Sequence, residues 1–304
     1  MSATSAARPV PDLSAAERWL PWVTRLGWVL VAVLGGAAIE SAVEGRGGAV
    51  GWTAAVIGWT AWALVALGLA VASVRSLTVV RVGTPVALVA AVGALLWGAD
   101  AGDVALLAVP AAVATATAMA AEFGRTWVQA DAYGDEDRFP LRPPAAAGAA
   151  ALVTWMVWAP CLVAGPVLLA DGTWLPGVVC TVVAIAGIVL LGPRWDRLSQ
   201  RWFVLVPAGI VVRDPVVLAD TFPLRKNQIS SLHLAAADTR AADLTGPASG
   251  YALEVVTSES VTTVFAFTPA EPNGKAIHLS AFLVAPSRPG GALRAAAERG
   301  LPVR

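Results

Sequence analysis

Long apolar runs separated by short polar breaks occupy the chain as far as residue 191. A helix needs about 20 mostly apolar residues to cross the roughly 30 Å hydrocarbon core of a bilayer. Six runs approach or meet this length, with approximate bounds 26–43, 51–74, 82–97, 104–121, 146–170 and 174–191. We therefore predict a six-span α-helical membrane domain over 26–192, preceded by a segment over 1–25 on the cytoplasmic side.

Arginines mark one side of this predicted membrane domain. Twelve arginines stand between Met1 and Arg201, and eleven of them fall at every second break between apolar runs. Because positive side chains are retained on the cytoplasmic side during insertion, this alternation predicts six spans with both termini in the cytoplasm. Arg46 is the single exception, and Glu40 and Glu44 precede it. The abundance of Ala, Gly, Val and Arg indicates a high-GC bacterium, so the expected location is the inner membrane.

After Arg201 the pattern changes to short segments rich in β-branched and aromatic residues. Pro, Gly, Asp or Ser separates each segment from the next, as is typical of strands. The seven predicted strands are 202–206, 209–213, 216–220, 229–234, 251–257, 261–268 and 276–284. We expect the fifth and sixth to form a hairpin around 258–260, and 290–299 to form an amphipathic helix. Residues 193–304 are thus predicted to be a cytoplasmic, barrel-like β domain with a C-terminal helix.

This succession of strands and a terminal helix resembles the pleckstrin-homology-like (PH-like) domains that some polytopic membrane proteins of high-GC bacteria carry at the C-terminus. The resemblance is carried by residues 201–205, 209–213, the Phe222-Pro223-Leu224 turn leading into 229–232, and the helix after Ser287-Arg288-Pro289-Gly290. Lipid-binding members of that family place basic residues around the first hairpin, whereas the turn here is Val206-Pro207-Ala208-Gly209. The resemblance therefore implies an interaction fold, not a reaction.

Composition narrows the function further. The chain is 57% hydrophobic and 14% charged with a net charge of zero, so no global field would recruit nucleic acid. Cys161 and Cys180 are the only cysteines, and both lie in apolar runs, either facing each other or simply filling space. His233 and His278 are the only histidines, and motifs for catalysis or phosphate binding are absent. We expect no enzyme activity, no cofactor and no metal site.

The polar stretch over 122–144 is longer than the median connection of about 4 to 6 residues. Its clustered carboxylates do not have the spacing of a calcium loop. We interpret it as a solvated loop or as a docking surface for the C-terminal domain. Its candidate docking residues are Asp131, Tyr133, Asp135, Asp137 and Arg138.

A second set of candidates is basic and lies at or beyond the sixth span. Anionic headgroups attract such residues by about 1 kcal/mol each near the surface. The candidate membrane-surface contacts are Arg194, Arg197, Arg201, Arg225 and Lys226. Topology determination alone also explains the first three.

Two functions from different classes fit this pattern. The first is a non-catalytic anchor, scaffold or regulator that presents residues 201–304 and the 122–144 loop to a cytoplasmic protein partner. The alternative is a transporter or channel component for a small or apolar solute, for which Glu40 is the candidate intramembrane polar residue. An interfacial role for Glu40, reaching water near the 44–48 turn, is the simpler interpretation. The chain could act as a monomer or an oligomer.

Overall fold

The computed structural model describes residues 14–266 and 275–304. Its chain divides into two compact units. The helical unit combines Leu20–Trp127 with Pro143–Gln200, and the β unit combines Val128–Arg142 and Arg201–Arg304 with the described residues that precede Leu20. The chain therefore leaves the helical unit after Trp127, returns to it before α8, and leaves it again after α9.

The helical unit is built from apolar α-helices, in which the main-chain N–H and carbonyl groups form hydrogen bonds within the helix. Their bounds are α1 (Ala15–Leu34), α2 (Gly36–Val43), α3 (Gly48–Ala70), α4 (Val74–Gly83), α5 (Val86–Leu96), α6 (Ala101–Met119), α7 (Ala121–Ala130), α8 (Ala145–Ala170) and α9 (Trp174–Ser199). Within the described residues, six stretches are long and apolar enough to cross a membrane: Ala15–Val43, Gly48–Ala70, Val74–Leu96, Ala101–Met119, Ala145–Ala170 and Trp174–Ser199. The expectation of six apolar helices is confirmed.

Several of these helices extend beyond the apolar runs. The first begins at Ala15 and not near residue 26, the third begins at Val74 and not at 82, and the sixth continues to Ser199. A helix can continue past the end of an apolar run, because its polar side chains reach the headgroup region there. Part of the predicted 1–25 segment is therefore helical, while residues 1–13, with Arg8, lie outside the described residues.

Two of the spans are each divided into two helices by a short break. Gly35 separates α1 from α2 with φ −80° and ψ −11°, and a Cβ built there would lie 2.6 Å from Leu107 Cδ1. Pro85 separates α4 from α5 with φ −72° and ψ −14°, where its ring removes one main-chain donor. Both residues stay in the helical region of backbone dihedrals, so each break is local.

Tryptophan side chains join neighbouring helices. Trp28 Nε1 donates to the Trp62 carbonyl at 3.0 Å, and Trp62 Nε1 donates back to the Trp28 carbonyl at 2.9 Å. Trp158 Nε1 likewise donates to the Ala184 carbonyl at 3.0 Å. In hydrocarbon these bonds satisfy indole N–H groups that would otherwise have no partner.

The β unit contains eight strands and a final helix among its described residues. They are β1 (Asp137–Pro140), β2 (Trp202–Val206), β3 (Gly209–Arg213), β4 (Phe222–Arg225), β5 (Ile229–Leu234), β6 (Ala242–Asp243), β7 (Leu253–Phe265), β8 (Lys275–Val284) and α10 (Pro289–Glu298). Two open four-stranded sheets result, with orders β1-β2-β3-β4 and β5-β7-β8-β6. The expectation of a β-rich C-terminal region with a final helix is confirmed.

Two strand predictions are wrong. Residues 216–220 do not form a strand, because the Asp214 carboxylate accepts hydrogen bonds from the N–H groups of Val216 and Val217 in a turn. Leu218 makes only an isolated bridge to Phe265. The hairpin around 258–260 does not exist, since both halves of β7 pair with β8 and only the register shifts between Val256 and Val261. The end of the predicted sixth strand, 267–268, lies outside the described residues.

Candidate interaction site on the β unit

The polar loop after α7 supplies a strand to the β unit. β1 pairs antiparallel with β2, with Asp137 opposite Leu205 and Pro140 opposite Trp202. Phe139 is 1% exposed and belongs to the same hydrophobic core as residues of β2, β3, β7 and β8. Of the two interpretations of the loop, association with the C-terminal domain is therefore the one observed, although as strand addition and not as surface docking.

Two of the candidate docking residues bind a single arginine, Arg299, which directly follows α10. Arg299 Nε donates to Asp137 Oδ2 at 2.9 Å, and Arg299 Nη2 donates to Asp135 Oδ1 at 2.8 Å. The Arg299 side chain is 5% exposed. Hydrogen bonds from a charged donor to a charged acceptor are about twice as strong as neutral ones. These bonds fasten the start of β1 to the C-terminal segment of the chain.

The remaining docking candidates differ in role. Arg138 forms an ion pair with Glu136 at 2.9 Å and lies 5.5 Å from the ring centroid of Trp202. Asp131 is half-buried, whereas Tyr133 is 83% exposed at the tip of the loop. Tyr133 is thus the member of this set that an external partner reaches most easily.

Arg201 is not a membrane-surface contact, contrary to the sequence-based expectation. Its guanidinium is 1% exposed and donates to both carboxylate oxygens of Asp214, at 2.7 and 2.6 Å. It also donates to the carbonyls of Arg142 and Thr245. The reason is the local chain direction, because Arg201 directly precedes β2 and its side chain turns into the β unit. The Arg142 side chain itself donates to the Tyr251 carbonyl. Burial lowers the pKa of its guanidinium.

The other basic candidates are solvent-accessible but belong to different units. Arg194 and Arg197 are exposed on α9 of the helical unit. Arg225 and Lys226 are exposed in the β unit, where Lys226 Nζ donates to the Arg299 carbonyl at 2.6 Å. These four residues remain available for contact with headgroups.

The polar candidates within the spans have simple surroundings. Glu40 is exposed on α2. Arg46 does not pair with Glu40 or Glu44 in any described contact; it lies 3.7 Å from an Asp171 oxygen and 4.1 Å from the Trp97 ring centroid. Its charge is therefore balanced by Asp171, in the turn between α8 and α9.

The two cysteines are neighbours in the helical unit. Cys161 on α8 lies within side-chain hydrogen-bonding reach of Cys180 on α9, and both thiols are free. A Cβ added at Gly165 would lie 2.7 Å from the Thr181 nitrogen, so small residues bring α8 and α9 together here. The interpretation in which the cysteines face each other is the observed one.

An open cleft of about 420 Å³ lies between β4 and the second half of β7. Its lining residues are Asp220, Thr221, Phe222, Pro223, Leu224, Gln228, Glu259, Ser260, Val261, Thr262, Thr263 and Val264. Two carboxylates are present in this lining, whereas Lys, Arg and His are not part of it. The cleft is thus an acidic surface between two strand edges.

Known proteins supply no further guide to this site. The chain matches no family model, no curated protein and no solved structure. Across residues 14–266 and 275–304, no group of three or more His, Cys, Asp or Glu side chains is placed to hold a metal ion. The functional interpretation therefore rests on the loop strand, the buried ion pairs behind it and the acidic cleft.

Proposed function

We propose that the protein is an integral membrane anchor, scaffold or regulator that presents its β unit to a cytoplasmic protein partner. Support comes above all from β1, because this strand joins the loop after α7 to the sheet that follows α9. The β unit therefore contains both the loop strand and the C-terminal segment of the chain, which supports a folded domain that offers its own binding surface.

We further propose that the β unit is a PH-like domain enlarged by one strand. Two sheets of mainly antiparallel strands followed by a C-terminal helix support this assignment. Ala292 and Ala296 of α10 are 0% exposed and belong to the core of the unit, as expected of a helix that covers the open end of two sheets. The strand β1 would be the addition specific to this chain.

The location that accompanies this function is a bacterial inner membrane with both termini in the cytoplasm. The distribution of arginines supports it, including Arg194 and Arg197, which are exposed near the end of α9. A reporter fused after Arg304 should be active in the cytoplasm, and one inserted after Asp171 should be active in the periplasm. The reverse result would overturn the topology and, with it, the proposed partner compartment.

Photo-crosslinking in cells of the native host tests the function. The full chain is the correct bait, because a fragment over 201–304 would lack β1 and expose the core that Phe139 covers. A photoreactive residue at Tyr133 or Tyr251, which are 83% and 75% exposed in the β unit, should capture a cytoplasmic protein of discrete mass. The matched control is Leu175, which is 78% exposed on α9. Absence of a discrete product, or the same product from all three positions, would contradict the proposal.

A transporter or channel component remains the second proposal. The observation that favours it is the Thr84 hydroxyl, which is buried at the break between α4 and α5 and has no hydrogen-bond partner among the described residues. A polar solute passing this break would supply one. Replacing Glu40 by Gln separates the two functions: loss of a transport phenotype at a normal protein level favours the transporter, and an unchanged phenotype favours the scaffold.

A further inference from the structure

We propose that the cleft between β4 and β7 binds an extended, basic segment of a partner protein, which adds to the edge of β7 as a strand. This inference rests on the proposed function, because it specifies the chemistry of the partner that the β unit would receive. Three features carry it: the free edge of β7, the deficient edge of β4 and the charge of the lining.

Residues 261–263 of β7 pair with β8 on one side, and the described residues include no strand paired on their other side; further along, Leu218 closes that edge through a bridge to Phe265. Val264 follows them, and its carbonyl accepts a hydrogen bond from the Ala219 N–H at 2.9 Å, so it points away from β8. In an antiparallel pair, residues alternate between those that bond the partner and those that point away from it. Thr262, two residues earlier, therefore also directs its N–H and carbonyl away from β8, towards the cleft. One donor and one acceptor are thus offered to an incoming strand.

The opposite edge cannot close the cleft by itself. Lys226 N–H donates to the Ala208 carbonyl at 2.9 Å, and this fixes which residues of β4 bond to β3. By the same alternation Pro223 directs its carbonyl away from β3, and proline has no N–H to offer. The Arg225 N–H, which also points away, is taken by Gln228 Oε1 at 3.0 Å. The outer edge of β4 thus offers a main-chain acceptor but no main-chain donor. It can therefore supply only half of the hydrogen bonds that pairing with β7 would need.

The charge of the lining identifies the occupant. Asp220 and Glu259 are both exposed, and Glu259 is held in place by a hydrogen bond from Gln228 Nε2 at 2.9 Å. Val261 and Leu224, 8% and 3% exposed, form an apolar floor between them. Since alternate side chains of a strand face opposite sides, an extended segment with apolar residues between two Lys or Arg residues fits the cleft. An acidic or proline-containing segment does not.

Binding of short peptides to the full chain tests the proposal. The protein is placed in nanodiscs of uncharged phosphatidylcholine, so that basic peptides have no anionic lipid to bind. The probes are capped hexapeptides of sequence Lys-Thr-Val-Val-Thr-Lys, its Glu-Thr-Val-Val-Thr-Glu counterpart and Lys-Thr-Pro-Val-Thr-Lys. We expect the first to bind about 10-fold more tightly than the second, since two exposed charge pairs each contribute up to about fivefold.

Variants of the lining locate the binding. The double substitution Asp220→Lys with Glu259→Lys should invert the preference between the basic and acidic peptides. Thr262→Pro, which removes the main-chain donor, should weaken binding of the basic peptide about 10-fold, the value of one hydrogen bond. Thr262→Val keeps that donor and should bind the peptide as the native chain does. Limited proteolysis establishes whether the proline variant folds, and if it does not, the charge-reversed variant decides.

Several results would overturn the proposal. They are equal binding of all three peptides, an unchanged preference after charge reversal, or no binding at all. Self-association of the native chain that charge reversal abolishes, without any peptide binding, would instead assign the cleft to a second copy. Each of these results leaves the proposed function standing if crosslinking from Tyr133 or Tyr251 still captures a cytoplasmic protein. Loss of that capture would overturn the function itself.

Discussion

An arginine in each unit lies away from water, and the two units compensate the charge in different ways. In the helical unit, Arg81 is half-buried and donates to the carbonyls of Ala118 and Ala120, at 3.1 and 3.3 Å. These carbonyls lie at the C-terminal end of α6, where the helix dipole is negative, and the Ala120 carbonyl also accepts from the Gly124 N–H at 3.2 Å. In the β unit, Arg201 is paired with the Asp214 carboxylate. The first cation relies on neutral dipoles and the second on an opposite charge, so the two pairs should respond differently to substitution.

The largest effect is expected for Asp214→Ala. This change leaves the buried Arg201 guanidinium without its counter-charge, which costs about 4 kcal/mol in the free energy of unfolding. It also removes the carboxylate acceptor of the Val216 and Val217 N–H groups, of which Val217 keeps the main-chain carbonyl of residue 214 at 3.2 Å. Denaturant unfolding of the full chain in nanodiscs, followed by protease cleavage within 201–304, measures the change. Asp220→Ala is the matched control, because Asp220 is exposed and its loss should change stability by less than about 0.5 kcal/mol.

A slightly smaller effect is expected for Phe139→Ala. Removing this 1% exposed ring leaves a cavity where β1 meets the core, which costs about 3 kcal/mol. The loop after α7 should become sensitive to protease before the rest of the β unit does. Tyr133→Ala, at the exposed tip of the same loop, should leave the cleavage pattern unchanged. Equal cleavage in both variants would mean that β1 is not part of the folded unit in solution.

Substitution of Arg81 tests how the helical unit compensates its half-buried cation. Arg81→Met removes the cation and its main-chain bonds together, so no charge is left behind. We expect a loss of about 2 kcal/mol, from carbonyls that lose a donor, measured by SDS titration in mixed micelles. Arg81→Lys should recover part of it. A loss as large as that of Asp214→Ala would show that the helical unit also depends on charge compensation.

The smallest effect concerns the paired tryptophans. Trp28→Phe removes one of the two reciprocal bonds between α1 and α3 and should cost about 1 kcal/mol in the same titration. Trp52→Phe is the control, because Trp52 is 76% exposed and donates no described hydrogen bond across helices. An unchanged stability for both variants would leave the packing of apolar side chains as the main source of cohesion between α1 and α3.

The features that the sequence predicts well are those with a local cause. Six apolar runs and the bounds of β2, β3 and β5 follow from hydropathy and from β-branched segments between turn residues. The continuity of β7 was not predicted, because residues 257–260 are polar and have the composition of a turn. In the structure the Thr257 hydroxyl donates to the Glu259 carbonyl at 2.7 Å, so the polar stretch forms a bulge within one strand.

The candidate site depends on contacts that no local pattern contains. The pairing of Arg201 with Asp214 and of Arg299 with Asp137 joins residues that no sequence spacing connects. β1 was not predicted for a similar reason. Charged residues surround it, and α8 and α9 separate it from its partner strand in the sequence. One signal was available: Phe139 and Leu141 alternate with polar or turn residues inside an otherwise hydrophilic loop, which is the period of a strand.

The pairing of β1 with β2 also sets an order for synthesis. The ribosome makes Asp137 and Phe139 before α8 and α9, and their partners Leu205 and Phe203 only afterwards. Until then an apolar strand with an unpaired edge stays outside any sheet, and such edges are prone to wrong associations. Completion of the β unit therefore requires that the last two long helices have been made. A chain interrupted within them would carry an unfolded β unit, a state that quality-control proteases can recognise.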